Sequence, residues 1–269
     1  MLAVMSEHRE AARATFDSVA SLYDEARPGY PQALYGDLIQ LAGLTPSHRL
    51  LEIGAGTGHA TLPLAQRGFR IDCIELGEQM AAVARARLAA FPAVSITVAD
   101  FDRWSTSARY DLVFAASAYH WLNPVTRVRK IAALLAPAGH IAVFRNHHVD
   151  TAATAPFNAA VQRIYTSILG PHRSSNPLPR AGQITPTEAA EWAASGLFAA
   201  ADTCIYRWRQ QLSAAEYIRQ LATHSDHRML AERDRNLLFD SLRKLIDDEF
   251  AGTAEKDYLT LLQVAEKIP

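Results

Sequence analysis

The feature that most constrains this chain is a short apolar segment that runs directly into three glycines and then into a helix-like stretch. Residues 50–58 read Leu-Leu-Glu-Ile-Gly-Ala-Gly-Thr-Gly. Gly54, Gly56 and Gly58 lack a Cβ atom, so the backbone can turn tightly and a ligand can lie against the amides at a helix N-terminus. The pattern predicts a nucleotide-like ligand at the first strand-to-helix turn.

The spacing of the glycines narrows the kind of ligand. A dinucleotide fingerprint requires a glycine three positions after Gly56, and this chain has His59 there. A phosphate-binding P-loop requires a Gly-Lys-Ser/Thr sequence, which the turn lacks. The observed pattern is therefore GxGxG, which disfavours both sites.

The residues around this turn alternate short β-branched runs with amphipathic stretches rich in Ala and Leu. This alternation is typical of parallel strands joined by crossover helices. Strands are predicted at residues 49–53, 70–74, 95–98, 112–115 and 140–144, and helices at residues 59–66, 77–90 and 124–135. Right-handed crossovers place the carboxyl ends of all these strands at one edge of the sheet, where ligands bind.

The flanking parts of the chain have a different pattern. A helix is predicted at residues 7–20 and a loop at 27–31; after the core come a proline-rich loop at 170–186, helices at 187–195, 213–224 and 230–250, and strands at 202–209 and 258–265. Two late strands separated by helices indicate an antiparallel edge strand. The predicted fold is α/β, a Rossmann-like, doubly wound, mostly parallel sheet with a helical cap. Residues 1–145 would form the cofactor-binding core and residues 146–269 the cap, with its last strands completing the sheet.

Composition limits the partners. The chain has 27 Lys+Arg and 28 Asp+Glu residues, so we expect neither a nucleic acid nor an anionic membrane surface as partner.

The sequence has no apolar run near the ~18 residues of a membrane span and no signal peptide at its start, which predicts a cytoplasmic protein. Cys73 and Cys204 lie far apart, and no metal site is predicted. A monomer or homodimer is expected.

Three further strand ends carry polar or aromatic side chains. Glu75 ends the second strand about twenty residues after the glycine turn, where a carboxylate can accept both hydroxyls of a ribose. Asp100 and Phe101 end the third strand, where an Asp can accept from an adenine amino group and an aromatic ring can stack on it. The fourth strand opens into a loop with the sequence Ser-Ala-Tyr-His-Trp at residues 117–121.

With these features in this order, residues 16–144 resemble the class I S-adenosylmethionine-dependent methyltransferases. The resemblance implies S-adenosyl-L-methionine as cofactor and assigns cofactor contacts by subsite. The methionine and ribose side would be lined by Glu52, Gly54, Ala55, Gly56 and Gly58; the ribose would be bound by Glu75; the adenine would contact Leu76, Met80, Asp100 and Phe101; and the methionine would run along Ala116 and Ser117.

Two stretches, residues 23–31 and 117–122, are similar to the branch that includes trans-aconitate methyltransferases and related small-molecule enzymes. The resemblance implies that the N-terminal segment folds over the cofactor, with Tyr23 and Arg27 closing the site. The acceptor would be a small molecule with a carboxylate, hydroxyl or similar group. Its pocket would be formed by Tyr30, Tyr119, His120, Trp121 and His147.

His120 is the predicted catalytic base, because an imidazole with an ordinary pKa near 6.5 suits proton transfer at neutral pH. A role as a pocket wall alone stays open, since a carboxylate acceptor is already ionised.

His147 and His148 are adjacent, so one metal ion would not easily bind both. His172, His224 and His227 are interpreted as surface or cap residues. Two other functions stay open: a nicotinamide-dependent oxidoreductase, which the residue at position 59 disfavours, and a binding module of the same fold without catalysis.

Overall fold

A computed structural model of the protein describes residue 17 and residues 20–171 and 178–269. Seven strands form one sheet: β1 (Arg49–Ile53), β2 (Arg70–Glu75), β3 (Val94–Val98), β4 (Tyr110–Ala116), β5 (Leu135–Val149), β6 (Asp202–Ser213) and β7 (Thr253–Glu266). Their order is β3-β2-β1-β4-β5-β7-β6. The first five strands pair in parallel, and β7 is antiparallel to both β5 and β6. The predicted mostly parallel sheet with an antiparallel edge is confirmed.

The described helices are α1 (Ala20–Ala26), α2 (Gln32–Leu41), α3 (Thr61–Ala65), α4 (Glu78–Arg87), α5 (Arg127–Leu134), α6 (Ala155–Leu169), α7 (Thr187–Ser195), α8 (Ala214–Ala222), α9 (Ser225–Arg228) and α10 (Glu232–Glu249). The sequence interpretation left out α2, α6 and α9. The helix predicted over residues 7–20 lies largely outside the described residues, and helix α1 continues beyond its predicted end. The predicted loop at 170–186 also falls in part outside them, and its described part contains a short 3₁₀ turn, Ala181–Gln183.

Two hydrophobic cores cover the two faces of the sheet, because neighbouring residues on a strand point to opposite faces. Leu50 belongs to the core beneath α2 and α3, whereas Leu51 belongs to the core beneath α5 and α7. Both side chains are fully buried. Burial on both faces explains why β1 reads as a continuous apolar run, and it makes the sheet doubly wound.

Strand β5 is much longer than the predicted segment at residues 140–144. The antiparallel strand β7 pairs with it from His140 to Val149 and so continues it beyond the parallel part of the sheet. The predicted end of this strand at residue 144 is therefore wrong, because the strand continues to Val149 and contains His147. The division into residues 1–145 and 146–269 stays a prediction, and its boundary falls within this continuous strand.

The helices inserted between the late strands form a third core. Phe157 of α6, Tyr217 of α8 and Leu242 of α10 are all buried in it. The insertion is tied to the N-terminal segment, since Arg27 Nε donates to Thr223 Oγ1 at 2.8 Å. None of the described helices is both long enough and apolar enough to cross a bilayer.

Candidate functional site

A cavity of about 560 Å³ opens at the carboxyl ends of the parallel strands, the edge at which the sequence places its ligand. Residues of the N-terminal segment, of all four strand ends β1 to β4 and of β5 contribute to its wall. The lining residues are Asp17, Tyr23, Arg27, Ile53, Gly54, Gly56, Ile74, Glu75, Leu76, Gly77, Met80, Ala99, Phe101, Ala116, Ser117, Ala118, His120, Trp121, Leu122, Arg145 and Asn146.

The glycine turn follows β1, and two of its three glycines have separate structural roles. Gly54 has φ of +71°, and a Cβ there would lie 2.5 Å from the Cβ of Ala118, so the loop after β4 requires a glycine. Gly56 has φ of +56°, and a Cβ there would meet no described atom within 4 Å. Gly56 also lines the cavity, so its missing side chain leaves open space for a ligand against the backbone.

Glu75 connects this turn to the next one. Its Oε2 accepts from the backbone N–H of Gly56 at 2.8 Å, and its Oε1 accepts from the N–H of Gly77 at 2.8 Å. Burial raises the pKa of Glu75, while these backbone amides act in the opposite direction. The carboxylate is thus held in a fixed orientation at the cavity wall, where its remaining lone pairs can accept from two vicinal hydroxyls.

Asp17 is a cavity residue that the sequence interpretation missed. Its Oδ1 accepts from the backbone N–H groups of Gln79 at 2.7 Å and Met80 at 3.0 Å, at the start of α4. It therefore caps a helix about sixty residues away in the chain. Gly77 permits this approach, because a Cβ there would lie 2.5 Å from Asp17 Oδ1. No local sequence pattern signals a cap supplied by such a distant residue.

The wall predicted to contact an adenine contains several of the expected side chains. Leu76, Met80 and Phe101 line the cavity, with Met80 and Phe101 almost fully buried. Asp100 is not part of the lining; its Oδ1 accepts from the N–H of Asp102 at 3.0 Å and so shapes the turn after β3. Ala99, on the other side of Asp100, faces the cavity instead.

The opposite end of the cavity is basic. Arg27 of the N-terminal segment and Arg145 of β5 both line it, together with His120, Trp121 and Asn146. Arg145 Nη2 lies 3.9 Å from the carboxylate of Glu188, at the outer limit of an ion pair, and its Nε donates to His147 Nε2 at 3.3 Å. The sequence analysis places His147 in the acceptor pocket and does not single out Arg145. Arg145 lies in the part of β5 beyond the predicted strand end at residue 144.

Several predicted site residues lie behind the cavity wall. The predicted site residues that do not line the cavity are Glu52, Ala55, Gly58, Asp100, Tyr30, Tyr119 and His147. The Tyr30 hydroxyl lies 2.9 Å from Ser117 Oγ and so supports a lining residue. The Tyr119 hydroxyl donates to Glu191 and accepts from Trp192 Nε1, both at 3.0 Å, which fixes the ring within the core beneath α7.

Glu52 is the most deeply buried of these residues. Its Oε2 accepts from Thr61 Oγ1 at 2.6 Å, and its Oε1 has no hydrogen-bond partner in the described part of the chain. Burial raises the pKa of Glu52 to about 8. Its carboxyl group is therefore largely protonated at neutral pH, and any contact with a ligand would pass through the residues in front of it.

His120 differs from the base that the sequence predicts. Its imidazole lies against the Trp121 ring, with 4.7 Å between the ring centroids. The residue as a whole is exposed at the cavity wall, but desolvation of its ring, followed by the positive charge of Arg145, lowers the pKa of His120 to about 4. The imidazole is therefore neutral at pH 7 but has little affinity for a proton.

We expect the His120 imidazole to titrate near pH 4 in the protein without ligand, because the cavity wall desolvates the ring and protonation would place a second cation beside Arg145. NMR titration of histidine-labelled protein measures this value, and the His120→Asn variant assigns the signal. Titration of the assigned signal near pH 6.5 would contradict this cation-facing position at the cavity wall.

Comparisons with known proteins agree with this geometry. Residues 50–139 match the methyltransferase domain family. An uncharacterized methyltransferase from Mycobacterium tuberculosis is 30% identical over 132 residues, which cover 49% of this chain and 52% of that protein. The chain thus spans about half the length of this curated relative.

Solved structures extend the likeness to nearly the whole fold. A chain from Anaeromyxobacter dehalogenans assigned as a type II methyltransferase superposes with a TM-score of 0.59 and 19% identity, covering 88% of this chain and 97% of its own. Phosphoethanolamine N-methyltransferase 2 from Haemonchus contortus, solved with S-adenosylhomocysteine, gives a TM-score of 0.54 and 15% identity, covering 94% of this chain and 58% of its own. Residues 50–139 thus match the methyltransferase domain family, and the chain has the α/β, Rossmann-like fold of methyltransferase structures.

Proposed function

We propose that this protein transfers a methyl group from S-adenosylmethionine to a small, anionic acceptor molecule. The observation that carries the proposal is the polarity of the cavity. One end presents the glycine turn and the carboxylate of Glu75, and the other end presents Arg27 and Arg145. A cofactor and an acceptor of opposite charge can therefore occupy this one cavity end to end.

The residues at the first end fit the cofactor. When bound, S-adenosylmethionine supplies an electrophilic methyl group on a sulfonium sulfur. The open backbone at Gly56 accommodates the part of the ligand that lies against the turn, and Glu75 offers acceptors to ribose hydroxyls. Leu76, Met80 and Phe101 provide an apolar wall for an adenine ring.

At the other end, the main task of the protein is to align a nucleophile with the methyl group and to exclude water. Among the described residues, Arg27 is hydrogen-bonded to Thr223 and forms no ion pair, and Arg145 has only a distant carboxylate partner. Two guanidinium groups without a close carboxylate partner favour an acceptor with a carboxylate or a similar anion. Such an acceptor is already ionised, so no base is needed to remove a proton from it. The neutral His120 imidazole then contributes hydrogen bonds to the pocket wall.

The proposal retains the small-molecule branch similar to trans-aconitate methyltransferases. A cytoplasmic location, the absence of a nucleic-acid partner and a monomeric or homodimeric state stay predictions.

Methyl transfer itself is tested by incubating the protein with S-adenosylmethionine and panels of small carboxylic acids, phenols and amines, with S-adenosylhomocysteine formation as the readout. Acceptor-dependent turnover limited to carboxylic acids supports the proposal, whereas turnover with amines alone would contradict it.

Replacing Arg145 with Gln is expected to raise the KM for a carboxylate acceptor at least tenfold and to leave the affinity for S-adenosylmethionine unchanged. The reason is loss of a charge-assisted hydrogen bond, which contributes about 1.5–3 kcal/mol. Steady-state kinetics and cofactor titration measure the two effects. Arg207→Gln is the matched control, because Arg207 is an exposed arginine on β6 away from the cavity. Equal KM values for the Arg145→Gln variant and the control would contradict the assignment.

A further inference from the structure

A second group of chemically reactive side chains lies in the helical insertion, outside the cavity lining. His224, Asp226 and His227 lie within one turn of chain at helix α9, and we refer to them as the histidine cluster. Each can offer one ligand atom, and these three atoms all lie within 4.8 Å of one another. Of the two interpretations that the sequence left open for His227, surface or cap, the structure favours the cap, because the residue lies in the helical insertion and is only 6% exposed.

The geometry of His227 is that of a metal ligand with an outer-sphere support. Its Nδ1 lies 2.8 Å from Asp226 Oδ1, and its Nε2 is hydrogen-bonded to the hydroxyl of Tyr165 on α6. Zn²⁺ bonds of about 2.0–2.1 Å in a tetrahedral site place neighbouring ligand atoms roughly 3.3 Å apart. The contact between Nδ1 and Asp226 Oδ1 is a hydrogen bond, so these two atoms would move apart by about 0.5 Å to share an ion. The phenol fixes the ring orientation, as such partners do for metal-bound histidines.

His224 can complete the set. It immediately precedes α9, and its ring centroid lies 5.8 Å from that of His227 in an edge-on arrangement.

The surroundings set the strength and the consequence of binding. The guanidinium of Arg27, which Thr223 binds beside the cluster, repels a divalent ion, so we expect micromolar rather than nanomolar affinity. The residue before the cluster, Thr223, holds Arg27 through both its hydroxyl and its carbonyl oxygen. An ion fixed at the histidine cluster would therefore fix the segment that positions an arginine of the cavity.

We propose that His224, Asp226 and His227 form a binding site for one Zn²⁺ ion, with a fourth coordination position open to water. Two imidazole nitrogens beside one carboxylate oxygen suit Zn²⁺ better than Mg²⁺ or Ca²⁺, which prefer sites made of oxygen ligands. The proposal does not rest on the proposed methyl transfer, since none of the three ligands lines the cavity.

The test uses tag-free, full-length protein stripped with a chelator and titrated with Co²⁺, whose visible absorption reports the ligand set, followed by competition with Zn²⁺. One ion per chain is expected, with micromolar affinity. His224→Ala and Asp226→Asn should each weaken Zn²⁺ binding at least tenfold. Asp226 is exposed, so this second variant separates ligand loss from unfolding.

Two variants serve as controls. His147→Ala removes a histidine from the adjacent pair on β5, and Asp247→Asn removes an exposed carboxylate from α10. Both should bind Zn²⁺ like the unaltered protein. Binding that survives in both cluster variants, binding lost in His147→Ala, or no binding at micromolar Zn²⁺ would each overturn the proposal.

Discussion

Adding one methyl group at Gly56 is expected to weaken S-adenosylmethionine binding at least tenfold and to leave the protein folded. The Cβ of Gly56→Ala would project into open cavity space beside the turn, where the cofactor must lie against the backbone. The substitution also places a non-glycine residue at a φ of +56°, which costs roughly 1–2 kcal/mol of stability wherever it occurs. Calorimetric titration measures the affinity, and thermal unfolding measures the stability.

Gly68→Ala separates these two effects. Gly68 also has a positive φ, +84°, and a Cβ there would likewise meet no described atom within 4 Å, but Gly68 does not line the cavity. Both variants should therefore lose similar stability, and only Gly56→Ala should lose cofactor affinity. Unchanged affinity in a folded Gly56→Ala protein would show that the cofactor does not lie against this turn.

Glu75→Gln is expected to weaken S-adenosylmethionine binding by about 1.5–3 kcal/mol, which is roughly tenfold to 150-fold. The variant keeps the size of the side chain but replaces one carboxylate oxygen with an amide N–H₂ group. Glutamine can then accept from only one of the two backbone amides that Glu75 now binds, those of Gly56 and Gly77. It would also offer a donor where two ribose hydroxyls require acceptors.

Glu78→Gln is the matched control, since Glu78 is an exposed glutamate in the first turn of α4, three residues away. It tests whether negative charge near this helix N-terminus is sufficient to explain the effect. Equal weakening in both variants would assign the loss to general electrostatics rather than to contact with the ribose. No weakening in Glu75→Gln would mean that the carboxylate only organises the two turns.

The fold was predictable from sequence to the extent that it depends on local pattern. The apolar strand before Gly54 and the alternation of strands with helices are visible in the sequence and led to the doubly wound sheet, which the structure confirms. The ends of the late strands were not predictable, because β5 extends to Val149 only through pairing with β7, more than a hundred residues later. Pairing between distant strands leaves no local signal.

The same distinction applies to the site. Glu75, Gly56 and Ser117 follow strands and line the cavity, as their positions in the sequence suggest. Asp17 and Arg145 also line it, but one reaches the site as a distant helix cap and the other through the long extension of β5. The identities of these residues are ordinary, so only the tertiary structure reveals their position.

The central claim is that this cavity binds S-adenosylmethionine. The most direct test is parallel calorimetric titration of the purified protein with S-adenosylmethionine, S-adenosylhomocysteine and NAD. Micromolar binding of the two sulfur nucleotides, lost in Gly56→Ala, with no binding of NAD, is the predicted result. Binding of NAD alone would contradict it and would identify the glycine turn as part of an oxidoreductase site.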